Sequence, residues 1–214
     1  MGDKLTFYTN PMSRGRIIRW MLEEVGQPHE TVILGYGASM KGPDYLSINP
    51  MGKVPAIKHG NAVVTEGAAI CAYLADVFPA ANLGPKTNEE RARYYRWMFF
   101  AAGPIEAAAN AKAMGWEAPA EKQGMLGFGS MAHVLDALEF ALKDTQYIAG
   151  DRFTAADVYF GSHIMWGTQF GTLEKRQAFE PYMARLHNRP AAVRAREIDD
   201  AIIAEQQKQQ QQQA

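Results

Sequence analysis

Residues 48–76 read INPMGKVPAIKHGNAVVTEGAAICAYLAD. Val54, Ala56 and Ile57 have the character of a buried strand, yet Pro55 interrupts them. Proline cannot donate to a ladder, so it belongs at the start of a strand, at an edge or at a bend. An X-Pro bond there is also open to the cis form. His59, Gly60 and Asn61 supply a hairpin turn, and "AVVT" returns as the second strand. Glu66-Gly67 then opens a helix, "GAAICAYLADVF", which Pro79 closes.

Working towards the N-terminus, "GPDYLSINP" reads as a short helix or loop and "HETVILG" as a strand. "SRGRIIRWMLEEVG" places Ile17, Ile18, Met21, Leu22 and Val25 at helical spacing, with Ser13 at the N-cap and Gly26 at the stop. "KLTFYT" is a β-rich run ended by Asn10-Pro11. The order is βαβαββα, an α/β domain with a parallel βαβ unit and an antiparallel hairpin.

Towards the C-terminus, "PAANLGPKTN" is Pro-, Gly- and Asn-rich, the composition of a linker. No strand pattern follows it. A long helix is expected over "NEERARYYRWMFFAAGPIEAAANAKAM", with a kink at Gly103-Pro104. A second, weakened by three glycines, is expected over "AEKQGMLGFGSMAHVLDALEFALKD". Thr154 and Asp157 form a capping box before "VYFGSHIMW". The expected division is an α/β domain over 1–79, a linker over 80–86, an all-α domain over 87–205 and a disordered Gln-rich tail over 206–214.

Composition narrows the function classes. The 214 residues carry a formal net charge of −1, so a nucleic-acid partner is not expected. One cysteine, Cys71, excludes an intrachain disulfide and fits a reducing compartment. No apolar run is long enough to span a bilayer, and "MGDKLTFYTNP" lacks the apolar core of a signal peptide. A cytoplasmic protein with no membrane partner is expected. The histidines are scattered without metal-ligand spacing, so no metal is expected.

"NPMGKVPAI", "TEGAAI", the linker and "FTAAD" together resemble the soluble glutathione transferases, from about Lys4 to about Arg196. The form is that of a bacterial-like serine-type member. The resemblance implies a thioredoxin-like N-terminal domain, an all-helical C-terminal domain, glutathione as co-substrate and a homodimer. It further implies that Pro55 is cis and that the backbone of Val54 pairs with the cysteinyl segment of glutathione like an added strand.

Glutathione needs an acceptor for its ammonium, donors for its carboxylates and a group that favours thiolate. Glu66 is the candidate acceptor. Gly67 opens a helix whose N–H groups suit a carboxylate, but it lacks the hydroxyl of the family's usual serine. Lys53 and Lys41 are candidates for the glycyl carboxylate. Ser13 resembles the activating serine that donates to the thiolate, and Tyr8 is its rival, at the place of the activating phenol in tyrosine-type classes. Met12 stands where cysteine-type classes carry their cysteine. Met12, Phe100, Glu106, Trp116 and Trp166 are candidates for an electrophile site expected between the domains. The implied activity is conjugation of the thiolate to hydrophobic electrophiles. A glutathione-dependent peroxidase, isomerase or dehalogenase, or a non-catalytic binding domain, are the alternatives.

Overall fold

The computed structural model describes residues 3–212. They fall into two compact units: one holds the chain up to Asn82 together with the chain from Arg189 onward, the other spans Leu83–Asn188.

In the first unit, strands β1 (Leu5–Thr9), β2 (Glu30–Ile33), β3 (Ala56–His59) and β4 (Ala62–Thr65) form one sheet in the order β2-β1-β3-β4. β1 pairs parallel to β2, with Tyr8 opposite Val32, and antiparallel to β3, with Tyr8 opposite Ala56. The β3–β4 hairpin pairs His59 with Ala62, leaving Gly60 and Asn61 as a two-residue turn. Gly60 has φ 58, a conformation that suits glycine in such turns. Helices α1 (Gly15–Val25), α2 (Ala38–Lys41), α3 (Pro43–Leu46) and α4 (Gly67–Val77) complete the α/β core. Phe7, Ile18, Ile57, Ile70 and Cys71 are fully buried within it. Burial alone pushes the Cys71 thiol well above its usual range, which leaves it a packing residue.

The helical unit holds α5 (Asn88–Phe100), α6 (Glu106–Ala113), α7 (Met131–Leu142), α8 (Ala155–Gln169) and α9 (Glu180–His187). The expected kink is a π-turn over Ala101–Ile105, which accommodates Pro104 inside the helical run. The expected helix over "AEKQGMLGFGSMAHVLDALEFALKD" forms only from Met131. Gly124, Gly127 and Gly129 precede it, Gly129 has φ 64, and Ser130 caps the start by accepting the His133 N–H at 3.2 Å. Trp97, Phe160 and Tyr182 stack edge to face through the core of this unit. Tyr94 and Trp97 of α5 are core residues, 1% and 4% exposed.

The division differs from the expected one at its C-terminal end. Helix α10 (Pro190–Gln212) belongs with the α/β unit, not with the all-α domain over 87–205. Charge explains it. Arg19, in the middle of α1, is buried against Asp199 of α10 at 3.2 Å. Arg19 also donates to Thr31 and lies over the Phe7 ring. Arg189 forks onto Glu24 at 2.7 and 2.8 Å, and Arg194 meets Glu23. Residues 206–212 continue α10 instead of forming a disordered tail, since glutamine is a good helix former. Residues 213 and 214 lie outside the described ones. Among the described residues no helix is long and apolar enough to cross a membrane.

Candidate functional site

The candidate glutathione residues of the first unit come from four segments: the β1–α1 loop, the α2–α3 region, the turn before β3 and the head of α4. The β1–α1 loop is folded around Asn10. Its side-chain amide donates to Leu34 O at 2.7 Å and its Oδ1 accepts the Met12 N–H at 2.9 Å. Gly15 makes the tight approach possible, because a Cβ there would lie 1.9 Å from Thr9 Oγ1.

Ser13 lies two residues before α1, so Arg14 takes the N-cap position expected for it. Its hydroxyl nevertheless serves that helix end. Ser13 Oγ accepts the Gly15 N–H at 2.9 Å and donates to Asn10 O at 2.7 Å. Ser13 is half-buried, whereas Met12 beside it is 64% exposed. Tyr36, also exposed, donates its phenol to Met12 O.

Tyr8 is placed differently. Its ring packs on Tyr45, 5.5 Å between centroids, in a cluster with Leu34, Met40, Ala56 and Val54.

Val54 and Pro55 are joined by a cis bond. The three carbonyls before Val54 are each held by a side chain. Lys41 donates to Met51 O at 3.0 Å and to Gly52 O at 2.8 Å, so its ammonium grips this loop. Lys53 extends an exposed side chain, while its carbonyl accepts from Tyr45 Oη and Asn49 Nδ2.

Glu66 is exposed and has φ 66 and ψ 117 immediately before α4. A left-handed φ in a residue that is neither Gly, Asn nor Asp costs energy, and such strain clusters at functional positions. Glu66 thus stands at the N-cap of α4, directly ahead of the N–H groups that open the helix at Gly67, and makes no side-chain cap to them. Those first N–H groups have no intrahelical acceptor and carry the positive end of the helix dipole.

The electrophile candidates other than Met12 lie in the helical unit. Phe100 is half-buried and packs on Trp97 at 5.3 Å, immediately before the π-turn. Glu106 begins α6 just after it and lies 4.0 Å from His163 of α8. Trp116, beyond α6, is 71% exposed, and Trp166 is half-buried on α8. Asn10, Gly15, Tyr45 and Asn49 were not singled out from the sequence. Asn10-Pro11 and Asn49-Pro50 advertise turns, but the partners they hold are set by the fold.

Residues 12–77 match the family model described as Glutathione S-transferase, N-terminal domain, and residues 105–190 match Glutathione S-transferase, C-terminal domain. The chain is 31% identical over 167 residues to Glutathione S-transferase GstA of Escherichia coli O157:H7, covering 77% of this chain and 79% of that protein. A glutathione transferase structure from Methylococcus capsulatus superposes with a TM-score of 0.75 at 26% identity, covering 92% of this chain and 99% of the other. The theta class glutathione S-transferase of Xanthomonas axonopodis pv. citri, solved with glutathione bound, superposes with a TM-score of 0.71 at 25% identity, over 90% of this chain and 97% of that one. This chain belongs to the glutathione S-transferase family.

Proposed function

We propose that the protein conjugates the thiolate of glutathione to hydrophobic electrophiles. The observation that carries the reading is Glu66. An exposed glutamate set at φ 66 immediately before the N-terminus of α4, its side chain not spent on capping that end, offers an ammonium acceptor next to carboxylate donors, the pair of groups at the γ-glutamyl end of the tripeptide. In this reading Lys53 meets the glycyl carboxylate, Val54 pairs with the cysteinyl backbone, and Ser13 donates to the thiolate. Lys41 contributes through the loop whose carbonyls it grips. Met12 is the electrophile candidate of the first unit, and Phe100, Glu106, Trp116 and Trp166 are those of the helical unit. Calorimetry with glutathione, followed by a panel of aryl halides, epoxides and hydroperoxides, tests it. Absence of binding at millimolar glutathione would sink the reading. Turnover confined to hydroperoxides would reassign the reaction to a peroxidase.

Gly67 yields a gain-of-affinity prediction. Its φ is not in the positive range, so a serine is compatible with the backbone. A hydroxyl there adds one donor to the γ-glutamyl carboxylate, worth about 0.5–1.5 kcal/mol. Gly67→Ser is expected to lower the Kd for glutathione by roughly threefold to tenfold, read by calorimetry.

The protein acts as a homodimer and in the cytoplasm in this reading. Arg91, Arg93, Tyr95, Arg96 and Phe99 form the exposed side of α5, and Phe99 is 68% exposed. An aromatic face edged with arginine suits a symmetric partner. Light scattering at micromolar concentration is expected to report twice the chain mass of 23.7 kDa. A monomer mass counts against the dimer.

A further inference from the structure

Three consecutive carbonyls before the Val54-Pro55 bond are each occupied by a side chain. Met51 O and Gly52 O are taken by Lys41 at the end of α2, at 3.0 and 2.8 Å. Lys53 O is taken twice, by Tyr45 Oη of α3 at 2.6 Å and by Asn49 Nδ2 at 2.7 Å. Tyr45 and Asn49 are 3% and 4% exposed, so neither donor trades freely with water. Asn49 is itself fixed, since its Oδ1 accepts the Met51 N–H. Gly52 has φ 56, and a Cβ there would crowd Met40 O and the Lys41 stem at 2.9 Å. The backbone is thus held close against α2 and α3.

Lys53 O and the Val54 N–H belong to one planar peptide group. The bond is trans, since Val54-Pro55 is the cis bond among the described residues. In a trans peptide the carbonyl and the N–H point in opposite directions. Fixing Lys53 O therefore fixes the direction of the Val54 N–H. Two hydrogen bonds on the carbonyl also polarise the amide and strengthen its N–H as a donor.

We propose that Tyr45 and Asn49 are positioning residues that, through Lys53 O, aim and polarise the Val54 N–H for the cysteinyl carbonyl of glutathione. The inference rests on the glutathione reading of the site and adds two residues that do not touch the ligand. Burial, opposed by the Asn49 hydrogen bond and assisted by nearby Tyr8, pushes the Tyr45 phenol up to about 12. It stays a donor across the working pH range. The Tyr8 ring packed on Tyr45 helps to hold it in place.

The test uses Tyr45→Phe, which keeps the ring, and Asn49→Ser, which shortens the donor. In the unliganded protein the amide resonance of Val54 is expected to move upfield in Tyr45→Phe. S-methylglutathione, which lacks an ionisable thiol, is expected to bind roughly threefold to tenfold more weakly to either variant, the range of one neutral hydrogen bond. KM for glutathione rises by the same factor, kcat changes less than twofold, and the pH profile stays in place. A folded Tyr45→Phe protein with an unmoved Val54 amide overturns the proposal. So does a lowered melting temperature with unchanged Kd and KM, because the contacts then serve stability alone. Should Tyr45→Phe fail to fold, Asn49→Ser carries the same criteria. If wild-type protein does not bind S-methylglutathione at millimolar concentration, the glutathione reading falls, and the positioning role with it. The free-protein amide shift tells that failure apart from an absent clamp.

Discussion

Asp157→Ala is expected to cost roughly 3–5 kcal/mol of stability at pH 7 while leaving the activity of the folded fraction unchanged. Sequence alone supports only the loss of a helix cap, about 1 kcal/mol. The structure enlarges the effect because the Asp157 carboxylate receives four donors. The Thr154 N–H and Oγ1–H reach it at 2.8 and 3.0 Å, the Ile148 N–H at 2.7 Å and the Tyr182 phenol at 2.9 Å. All three residues that supply these donors are buried, and Asp157 itself is fully buried. It ties the head of α8, the turn before it and α9 to a single point. Alanine leaves buried N–H and O–H groups without acceptors, each costing about 1–3 kcal/mol before any water enters. At this chain length the melting temperature should fall by roughly 10 °C. Chemical denaturation checks the first figure and calorimetry the second. A variant with lowered turnover and an unchanged melting temperature would assign Asp157 to chemistry instead.

The pH dependence gives that prediction a sign. Burial raises the Asp157 pKa from 3.8 to about 6, against the pull of its four hydrogen bonds. A raised folded-state pKa means that the folded protein favours the protonated form. The associated stability is fully present below about pH 3.8 and is lost as pH rises through about 6. The gap between wild type and Asp157→Ala is therefore expected to be larger at pH 4.5 than at pH 7. A gap that widens with rising pH would mean that the hydrogen bonds outweigh burial.

What could be read from the sequence is what is encoded within a few residues. The β-rich runs "KLTFYT" and "AVVT", the turn around Gly60-Asn61, the stop at Gly26 and the capping box at Thr154 and Asp157 each act locally, and each appears in the structure. Errors arose where the decisive partner is remote or where backbone cost outweighs periodicity. Arg19 meets Asp199 across 180 positions. No local pattern in "VRAREIDD" announces that α10 packs with the α/β unit. The three glycines before Ser130 weigh more than the helical periodicity around them, so α7 starts late. For the site, "KVPAI" and "TEGAAI" marked, through family resemblance, the backbone proposed to meet the ligand. Tyr45 and Asn49 went unnoticed because their value lies in a carbonyl they meet only after α3 folds. Lys41 was marked for a carboxylate on charge alone, and its position shows two loop carbonyls as its partners.

Ser13→Ala is expected to lower conjugation near neutral pH by about tenfold to a hundredfold, with a raised pKa in the pH–rate profile and little change in glutathione affinity. Free cysteine, with a pKa near 8.5, is only a few per cent thiolate at pH 7. Losing a charge-assisted donor worth roughly 1.5–3 kcal/mol therefore shows directly in rate. The unliganded geometry explains how the serine is poised. Its single proton is directed to Asn10 O, 2.7 Å away. Turning that proton to a thiolate exchanges a neutral acceptor for a charged one, which binds about twice as strongly. Asn10 O keeps a partner in the exchange, because the Ser13 N–H also donates to it at 3.0 Å. The Gly15 N–H donates to Ser13 Oγ throughout, which polarises the hydroxyl towards its new acceptor. Tyr8→Phe is expected to change the rate much less, since the Tyr8 ring packs against Tyr45 in the cluster of Leu34, Met40 and Ala56. Alanine at 13 also removes the acceptor of the Gly15 N–H, so about 1 kcal/mol of stability should be lost alongside. The profile separates the two effects, because a helix end that is merely frayed lowers the melting temperature without moving the thiol's pKa. A raised pKa in Tyr8→Phe and not in Ser13→Ala would transfer the role to the phenol. An unmoved profile in both would leave the backbone N–H groups and the dipole of α1 to stabilise the thiolate.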